Sequence, residues 1–322
     1  MKKIGFLGVG SIALHHLKVL QHLGCEVPFA TSRSSNSKSW KKFINISKNT
    51  NFVSSATNLF SEHNLDAIIV CLPWHETEKY LDIIFSHNIP VLIEKPAALS
   101  AKKLKYFISK YKNNLHNKWV GYNRRFYKTV KILKKRILNG GLKTINISIS
   151  EDIKNHTKKH GNEILPHLLE FSSSHILDLL LYLFGKVEII KIFKYPQIFN
   201  DKIFYSLNGI LKTKDELPII LQLNSNDPTP AGIFCKFDDN TTWSLSPLEK
   251  LTVFDKYKIV EEKANNIRQY IPSFSKEFFE NNDFKPGFKT QMREFLALNK
   301  NGQLSNIHDQ LETLNLIEKI RK

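Results

Sequence analysis

The chain has 322 residues, 42% hydrophobic and 24% charged, and this composition excludes a mainly disordered protein. At about 150 residues per domain, the length indicates two domains. The net charge is +17, but the lysines are dispersed along the chain, which favours a solvated surface over a stripe that binds nucleic acid. The three cysteines lie far apart and form neither a disulfide framework nor a zinc motif, so we expect a reducing, cytoplasmic setting.

The N-terminus imitates a secretory signal, because two lysines precede the apolar run Ile4–Leu14. No small-residue cleavage site follows, and glycines interrupt the run. We therefore expect a strand at Lys3–Leu7, a tight turn and a helix at Ser11–Leu23. No stretch of the sequence offers the roughly 20 clean apolar residues that a membrane span requires, so we predict no membrane segment.

Strand and helix patterns alternate over residues 1–122. Buried strands are predicted at Lys3–Leu7, Glu26–Thr31, Ala67–Leu72, Val91–Glu94 and Lys118–Gly121. Helices are predicted at Ser11–Leu23, Trp40–Ile46, Glu76–His87 and Lys102–Lys112. The alternation predicts an α/β fold class, with an N-terminal Rossmann domain built on a doubly wound parallel sheet.

The pattern changes over residues 123–322. Strands are predicted at Thr144–Ser150, Val187–Phe193, Phe204–Lys212, Pro218–Leu223, Ala231–Phe237, Thr242–Ser246 and Lys250–Phe254. Helices are predicted at Val130–Leu138, Pro166–Phe184, Lys289–Leu298 and Asp309–Ile320. These elements indicate a C-terminal α+β domain with a mostly antiparallel sheet, which binds substrate and forms a homo-oligomer, either a dimer or a tetramer.

A glycine motif of the form G-x-G-x-x-A follows the first strand, with Gly8, Gly10 and Ala13 at its fixed positions. Gly8 permits a tight turn, and Gly10 lets a pyrophosphate approach the backbone at Ser11 and Ile12. Ala13 allows the helix to pack against the strand. Between a strand and a helix, this motif predicts dinucleotide binding.

The end of the second strand bears on the choice of dinucleotide. Ser32 lies 24 residues after Gly8, near the position where NAD-binding domains carry an acid that binds the ribose. Here the residues are Ser32 and Arg33, and a guanidinium beside small hydroxyls favours a 2′-phosphate. We predict NADP as cofactor, with NAD as the alternative. Two other roles for Arg33 stay open: it is an exposed loop charge, or it stacks on the adenine of either cofactor.

Three further segments carry a family resemblance, namely Cys71–His75, Val91–Pro96 and Gly121–Phe126. With the glycine turn, they resemble the glucose–fructose oxidoreductase/inositol dehydrogenase/MocA (Gfo/Idh/MocA) family. The resemblance implies an NAD(P)-dependent oxidoreductase that acts on a sugar, a cyclitol or a sugar nucleotide. The residues it places at the cofactor are Leu72, Pro73, Glu94 and Lys95, and those it places at a sugar-type substrate are Tyr122, Asn123, Arg125 and His175.

The resemblance also implies a catalytic set of Lys95, His175 and Asp178. On a helix, residues three apart share a face, so Asp178 is positioned to support His175. Many family members carry Asp four residues before this histidine, where this chain has Phe171. Glu170 is one residue away, about 100° around an α-helix, so it does not replace that Asp simply. We expect Lys95 and His175 to converge on one substrate oxygen.

Two alternative functions from other classes of protein stay open. The substitution at Phe171 suggests a catalytically silent dinucleotide-binding regulator, and the charge suggests a basic nucleic-acid-binding protein. No metal is predicted, because the histidines at 156, 160 and 167 lie among lysines and outside any HExxH motif. Trp243–Glu249 and Lys285–Phe288 look like elements of a subfamily associated with cell-surface polysaccharide genes, which implies a role in surface glycan biosynthesis.

Overall fold

This computed structural model describes residues 1–62, 64–262, 267–281 and 283–322. The chain divides into two compact units. Unit 1 comprises Met1–Phe126 and Asn282–Glu318, and unit 2 comprises Tyr127–Asn281 and Lys319–Lys322. The sequence-based division at residue 122 did not anticipate that the chain returns to unit 1 near its C-terminus. Within the described residues, no helix is long and apolar enough to cross a membrane.

The first part of unit 1 alternates strands and helices, as predicted. Its strands are β1 (Ile4–Leu7), β2 (Phe29–Thr31), β3 (Asn51–Val53), β4 (Ala67–Val70), β5 (Val91–Ile93) and β6 (Lys118–Val120). Its helices are α1 (Ser11–His22), α2 (Lys38–Ile46), α3 (Ala56–Phe60), α4 (Leu81–Ser86) and α5 (Ala101–Lys110). These six strands pair in parallel in the order β6-β5-β4-β1-β2-β3. The order reverses between β1 and β4, the point at which open α/β sheets bind ligands.

Unit 2 is built on an eight-stranded sheet. Its helices are α6 (Lys128–Leu138), α7 (Ile153–His160) and α8 (Ser174–Phe184). Its strands are β7 (Leu142–Glu151), β8 (Val187–Phe199), β9 (Lys202–Thr213), β10 (Pro218–Ser225), β11 (Gly232–Phe237), β12 (Thr242–Leu245), β13 (Lys250–Glu262) and β14 (Ile267–Phe279). The strand order is β14-β13-β12-β11-β7-β10-β9-β8, and β7 and β10 form its parallel pair. The mostly antiparallel prediction is therefore confirmed.

The segment before α8 departs from the single helix predicted at Pro166–Phe184. A 3-10 helix covers Asn162–His167, a π-helical turn covers Leu169–Ser173, and only then does α8 begin. Pro166 lies inside the 3-10 helix and has no backbone N–H to donate. The π turn contains one residue more per turn than an α-helix, so it shifts the register of the residues before α8.

The chain then completes unit 1 with α9 (Phe288–Leu296), β15 (Ser305–Asn306) and most of α10 (Ile307–Arg321). Strand β15 pairs antiparallel with β6 and becomes the edge of the sheet. The ring of Phe295 packs edge-on against Trp119 of β6, with the centroids 5.8 Å apart. The core of unit 1 therefore contains side chains from both ends of the chain.

Candidate active site

The glycine turn after β1 is fixed by its backbone. Gly8 has a φ of 94°, in the left-handed region that favours glycine. A Cβ at Gly8 would lie 2.6 Å from the carbonyl oxygen of Cys71, which follows β4. The backbone N–H of Gly8 donates a hydrogen bond to Thr31 Oγ1 at 3.1 Å. The turn is thus held between the ends of β2 and β4, and glycine is required at this position.

Beyond the turn, the N-terminus of α1 is open. Gly10 is its N-cap and supplies no side-chain cap, and no atom lies within 4 Å of the place where a Cβ of Gly10 would stand. Ser11 is exposed and Ile12 is half-buried in the first turn. The uncapped N–H groups and the positive end of the helix dipole suit a phosphate. This cradle fits the pyrophosphate of a dinucleotide.

Ser32 and Arg33 follow β2, on the other side of β1 from β4. Ser32 Oγ lies 2.9 Å from Ser37 Oγ, which in turn accepts a hydrogen bond from the backbone N–H of Trp40. Arg33 is exposed and makes no ion pair with any described residue. The pKa of Glu76 is lowered, chiefly by a hydrogen bond from Lys79 and in smaller part by the charge of Arg33. The Arg33 guanidinium is therefore available to an anion beside the loop that follows β4.

Glu94, directly after β5, has a partner that the sequence analysis did not identify. His16 of α1 is fully buried, and its Nε2 donates to Glu94 Oε1 at 2.7 Å. The His16 ring also packs against Phe288 at 4.6 Å between centroids. Ala13, His16 and Leu17 share the inner face of α1, so the spacing of a histidine on the apolar face was the signal available in the sequence.

The carboxyl ends of β1, β4, β5 and β6 bring several predicted residues together. The position of a Cβ on Gly8 lies 3.1 Å from a methyl group of Leu72, and that of a Cβ on Gly121 lies 3.0 Å from Glu94 Oε1. Lys95 is half-buried and stands two residues beyond β5, while the neighbouring Pro73 is exposed. These residues line the edge at which parallel sheets bind their ligands.

The predicted substrate residues after β6 are mostly buried. Tyr122, Asn123 and Arg125 are exposed by 6% or less. Asn123 Nδ2 donates to the carbonyl oxygen of Pro286 at 2.9 Å, and Arg125 forms an ion pair with Asp309 at 3.2 Å. These contacts tie the segment after β6 to the C-terminal part of unit 1. Their assignment to substrate stays a prediction.

In unit 2, α8 carries His175 in its first turn and Asp178 one turn later. Asp178 is fully buried and His175 is half-buried. Both lie on a helix whose other face is packed by leucine and isoleucine side chains. Because Lys95 belongs to unit 1 and His175 to unit 2, their convergence on one substrate oxygen stays a prediction.

The π turn changes the interpretation of the residues before His175. The 100° separation of Glu170 and Phe171 assumed α-helical spacing, whereas Leu169–Ser173 form a π-helical turn with a smaller rotation per residue. The Glu170 carboxylate is 1% exposed and is held by two hydrogen bonds from Arg321, at 2.5 and 2.6 Å. The sequence analysis predicted a continuous helix over this segment and did not indicate the π turn.

Phe171 occupies a different environment. Its ring packs edge-on against His156 and His160, with centroid distances of 5.5 and 4.9 Å. Within the described part of the chain, no cluster of three His, Cys, Asp or Glu side chains is placed to hold a metal ion. The two histidines thus pack against an aromatic ring.

A buried carboxylate anchors the same turn from the sheet. Glu151, the last residue of β7, is 1% exposed. Ser173 Oγ donates a hydrogen bond to Glu151 Oε1. The other oxygen, Oε2, lies 3.3 Å from His156 Nε2 without hydrogen-bond geometry. Glu151 was not singled out from the sequence, where it is one acid at the end of an alternating strand.

Comparison with known proteins bears on both units. Residues 2–122 match the family model described as "Oxidoreductase family, NAD-binding Rossmann fold", that of the Gfo/Idh/MocA proteins. A comparison with curated proteins by sequence gave no match.

Solved structures similar to this one cover nearly the whole chain. An oxidoreductase from Thermotoga maritima is 15% identical, with 99% of this chain and 96% of that one covered and a TM-score of 0.77. A myo-inositol dehydrogenase from Corynebacterium glutamicum is 15% identical, with 99% and 95% covered and a TM-score of 0.73. The UDP-N-acetylglucosamine 3-dehydrogenase of Acidithiobacillus ferrooxidans is 13% identical, with 99% and 96% covered and a TM-score of 0.72. At these identities the likeness shows that the fold is shared across both units.

Proposed function

Because residues 2–122 belong to the Gfo/Idh/MocA oxidoreductase family, we propose that this protein is an NAD(P)-dependent dehydrogenase or reductase. It acts on a secondary alcohol or the matching ketone of a sugar, a sugar nucleotide or a related sugar derivative. The observation that carries the proposal is the open N-terminus of α1 behind Gly8 and Gly10, at the same sheet edge as Lys95. Two proteins of the same fold are named for dehydrogenation of a cyclitol and of a nucleotide sugar.

The residues of unit 1 that hold the cofactor follow from their chemistry. The N–H groups at Gly10, Ser11 and Ile12 receive the pyrophosphate. The exposed guanidinium of Arg33 beside the hydroxyl of Ser32 supports NADP as the preferred dinucleotide, because these two groups would hold a 2′-phosphate. When bound, the nicotinamide accepts or donates the hydride.

The residues that act on the substrate have two tasks, which are to exchange a proton with the substrate oxygen and to stabilise the negative charge that develops on it. As an alcohol becomes a ketone, its oxygen must lose a proton. Lys95 donates a hydrogen bond to that oxygen and stabilises its negative charge. His175 is the residue type whose ordinary pKa suits proton exchange near neutral pH. Asp178, one turn away on the same face, orients the imidazole.

Two alanine variants test these roles. We expect Lys95→Ala and His175→Ala to abolish turnover and to leave dinucleotide affinity within a few-fold of the parent. Lys102→Ala, an exposed lysine on α5, is the matched control for loss of charge. The assay follows reduced nicotinamide absorbance with a panel of sugars and UDP-, GDP- and CMP-sugars, and titrates NADPH and NADH separately by fluorescence. Near-parental turnover in either variant removes that residue from the reaction.

The biological setting is part of the same proposal. The resemblance of the segments Trp243–Glu249 and Lys285–Phe288 to a subfamily associated with cell-surface polysaccharide genes supports a role in surface glycan biosynthesis, in which sugar nucleotides are the usual building blocks. The three free cysteines support a reducing, cytoplasmic location. Turnover of a nucleotide sugar but not of the free sugar is the result expected.

We also propose that the protein forms a homo-oligomer through unit 2. Strand β13 continues well beyond its pairing with β12 and pairs with β14 along this extension, where Tyr257 and Tyr270 are 70% and 62% exposed. On β8, Phe193 and Tyr195 are 58% and 68% exposed. The two sets lie at opposite edges of the sheet, and exposed apolar side chains of this kind are typical of interaction surfaces. Light scattering on the purified protein tests the proposal, and a monomer at all concentrations contradicts it.

A further inference from the structure

The turn of residues 285–288 packs directly on α1, the helix whose N-terminus forms the phosphate cradle. Phe288 ends this turn, begins α9 and is 1% exposed. Its ring centroid lies 4.6 Å from that of His16 and 6.0 Å from that of His15. His16 is in turn hydrogen-bonded to Glu94, directly after β5. The turn therefore lies beside the carboxyl edge of the parallel sheet, within unit 1.

The backbone of the turn is held by contacts on both sides. The carbonyl oxygen of Pro286 accepts a hydrogen bond from Asn123 Nδ2 at 2.9 Å. The backbone N–H of Phe288 donates to the carbonyl oxygen of Lys285 at 3.1 Å. Gly287 between them has a φ of 79°, in the left-handed region that favours glycine. The point from which the Lys285 side chain extends is therefore well defined.

The ammonium group of Lys285 lies over the same aromatic ring that packs on α1. Its Nζ is 5.0 Å from the centroid of the Phe288 ring, a distance at which the face of the ring attracts a cation. The side chain is exposed and forms no hydrogen bond or ion pair within the described part of the chain. The ammonium is therefore placed beside α1 and is accessible to a ligand.

The charge of Lys285 acts on groups of both the helix and the sheet edge. The pKa of His15 is lowered by partial burial and then by the charge of Lys285. His15 lies one turn after Ser11 on the same face of α1, and helical side chains lean towards the N-terminus. The pKa of Lys285 is itself lowered by partial burial, while the charge of Glu94 raises it and that of Arg124 lowers it. An exposed ammonium with this environment lies in a recess of the surface near the cradle.

The phosphate cradle requires more positive charge than the end of α1 supplies. Both phosphate groups of a dinucleotide's pyrophosphate are negatively charged, whereas a helix N-terminus is equivalent to about half a positive charge. The first turn of α1, residues 11–14, contains no lysine or arginine. Glu94 is engaged by His16, and Lys285 and Arg124 repel each other until an anion lies near them. This arrangement favours an anion with more than one negative charge.

We propose that Lys285 binds the pyrophosphate of the dinucleotide and complements the backbone N–H groups at Gly10, Ser11 and Ile12. Its ammonium donates a charge-assisted hydrogen bond to a phosphate oxygen. The inference rests on the proposed function, because it takes the ligand at this edge to be a dinucleotide. It adds to the cofactor site a contact from the C-terminal part of unit 1.

Three substitutions separate the charge of Lys285 from its effect on the turn. Lys285→Gln removes the charge and keeps a polar side chain, and Lys285→Arg keeps the charge. Lys289→Gln is the matched control, because Lys289 belongs to α9 and its Nζ lies over the Phe284 ring at 5.5 Å. That ring packs against His22, at the opposite end of α1 from the cradle. The control therefore removes the same charge and the same kind of ring contact at a distance from the phosphate.

The experiment measures equilibrium binding of NADPH, NADH and ADP-ribose to the full-length protein by calorimetry, at about 50 and about 400 mM salt. Lys285→Gln is expected to weaken all three by a similar factor, about 5-fold or more at low salt, because all three contain the pyrophosphate. The loss should shrink at high salt, since salt screens an exposed charge. Lys285→Arg and Lys289→Gln should stay within about threefold of the parent.

Several results would overturn the inference. A loss confined to NADPH would assign the cation to the 2′-phosphate, and a loss confined to NADPH and NADH would assign it to the nicotinamide half. An equal loss in Lys289→Gln would show a general effect of net charge. A lower melting temperature of Lys285→Gln with parental affinities would show that the lysine only stabilises the turn.

The same titrations keep the two proposals distinguishable. If the parent binds none of the three ligands, the proposed function fails and the role of Lys285 fails with it. If the parent binds them and Lys285→Gln binds them equally well, the inference about Lys285 alone fails.

Discussion

Lys118 of β6 is a buried ammonium group in the sheet of unit 1. Its side chain is 0% exposed, and Nζ donates to the carbonyl oxygen of Ile89 at 2.7 Å and to Asn117 Oδ1 at 2.6 Å. Burial lowers its pKa from 10.5 to about 7. Two neutral acceptors do not offset the loss of water around a cation.

The lowered pKa makes stability depend on pH in a definite direction. Between the folded value of about 7 and the ordinary value of 10.5, the unfolded chain holds a proton on Lys118 that the folded chain has released. The free energy of unfolding therefore rises as pH rises through this interval. The gain between pH 7 and pH 10 is about 3 kcal/mol. Below the folded pKa both states are protonated, and the cost of the buried charge is constant.

Lys118→Met removes the titration and keeps a side chain of similar length. We expect the variant to be more stable than the parent at pH 7, with the difference shrinking by about 3 kcal/mol at pH 10. Urea unfolding is followed by tryptophan fluorescence at pH 7, 8, 9 and 10. Three of the four tryptophans, Trp40, Trp74 and Trp119, lie in unit 1, so this probe reports mainly on the unit that contains the change.

A control separates Lys118 from the other lysines, which also titrate at high pH. Lys105→Met alters an exposed lysine of the same unit, and its stability should follow the parent at every pH within about 0.5 kcal/mol. Parallel pH curves for the parent and Lys118→Met would show that the ammonium is hydrated in the folded protein and would refute the reasoning.

Further predictions concern the cofactor site and the thiols. Gly10→Ala should leave thermal stability within a few degrees, because its Cβ meets open space, yet weaken dinucleotide binding about 10-fold or more by blocking the approach of the pyrophosphate, as fluorescence titration will show. Ser32→Asp combined with Arg33→Ala should invert the preference from NADPH to NADH, measured as the ratio of the two kcat/KM values. Cys71 and Cys235 should resist iodoacetamide at pH 8 in the folded protein, because burial raises the pKa of each thiol, that of Cys235 to about 12.

A different result would contradict each of these predictions. Unchanged affinity in Gly10→Ala would place the pyrophosphate away from the helix N-terminus. A parental preference in the double variant would mean that Arg33 is only a solvated charge. Rapid labelling of Cys235 without denaturant would show that β11 opens to solvent, and full labelling of all cysteines in urea confirms that the reagent is active.

The fold of unit 1 could be predicted from the sequence because buried parallel strands are continuous apolar runs. Ala67–Val70 and Val91–Ile93 appear within one or two residues of their predicted bounds. Strand β3 was not predicted, since Asn51–Val53 is three residues long and begins with asparagine. A short, polar strand at the edge of a sheet shows little of the hydrophobic periodicity from which strands are predicted.

In unit 2, the hydrophobic pattern did not predict the full length of every strand. The predicted strand Lys250–Phe254 continues to Glu262, and β14 at Ile267–Phe279 was not predicted. Both strands mix lysines and tyrosines on exposed faces, so neither alternation nor an apolar run marks them. At the candidate site, the glycine turn at Gly8 and Gly10 follows from a local motif, and the role proposed for Lys95 rests on the family resemblance. The contacts of Glu151 with Ser173 depend on residues that only the folded chain brings together.

The return of the chain to unit 1 bears on how the protein is made. During synthesis, the segment that carries Phe288, Met292 and Phe295 emerges from the ribosome only after Tyr127–Asn281, the large segment of unit 2. Until then β6 lacks both its antiparallel neighbour β15 and the packing of Phe295 on Trp119. The nucleotide-binding half therefore begins first and stays incomplete until residues 127–281 have been made, and a nascent chain that stops near residue 280 leaves that half with an uncovered apolar side.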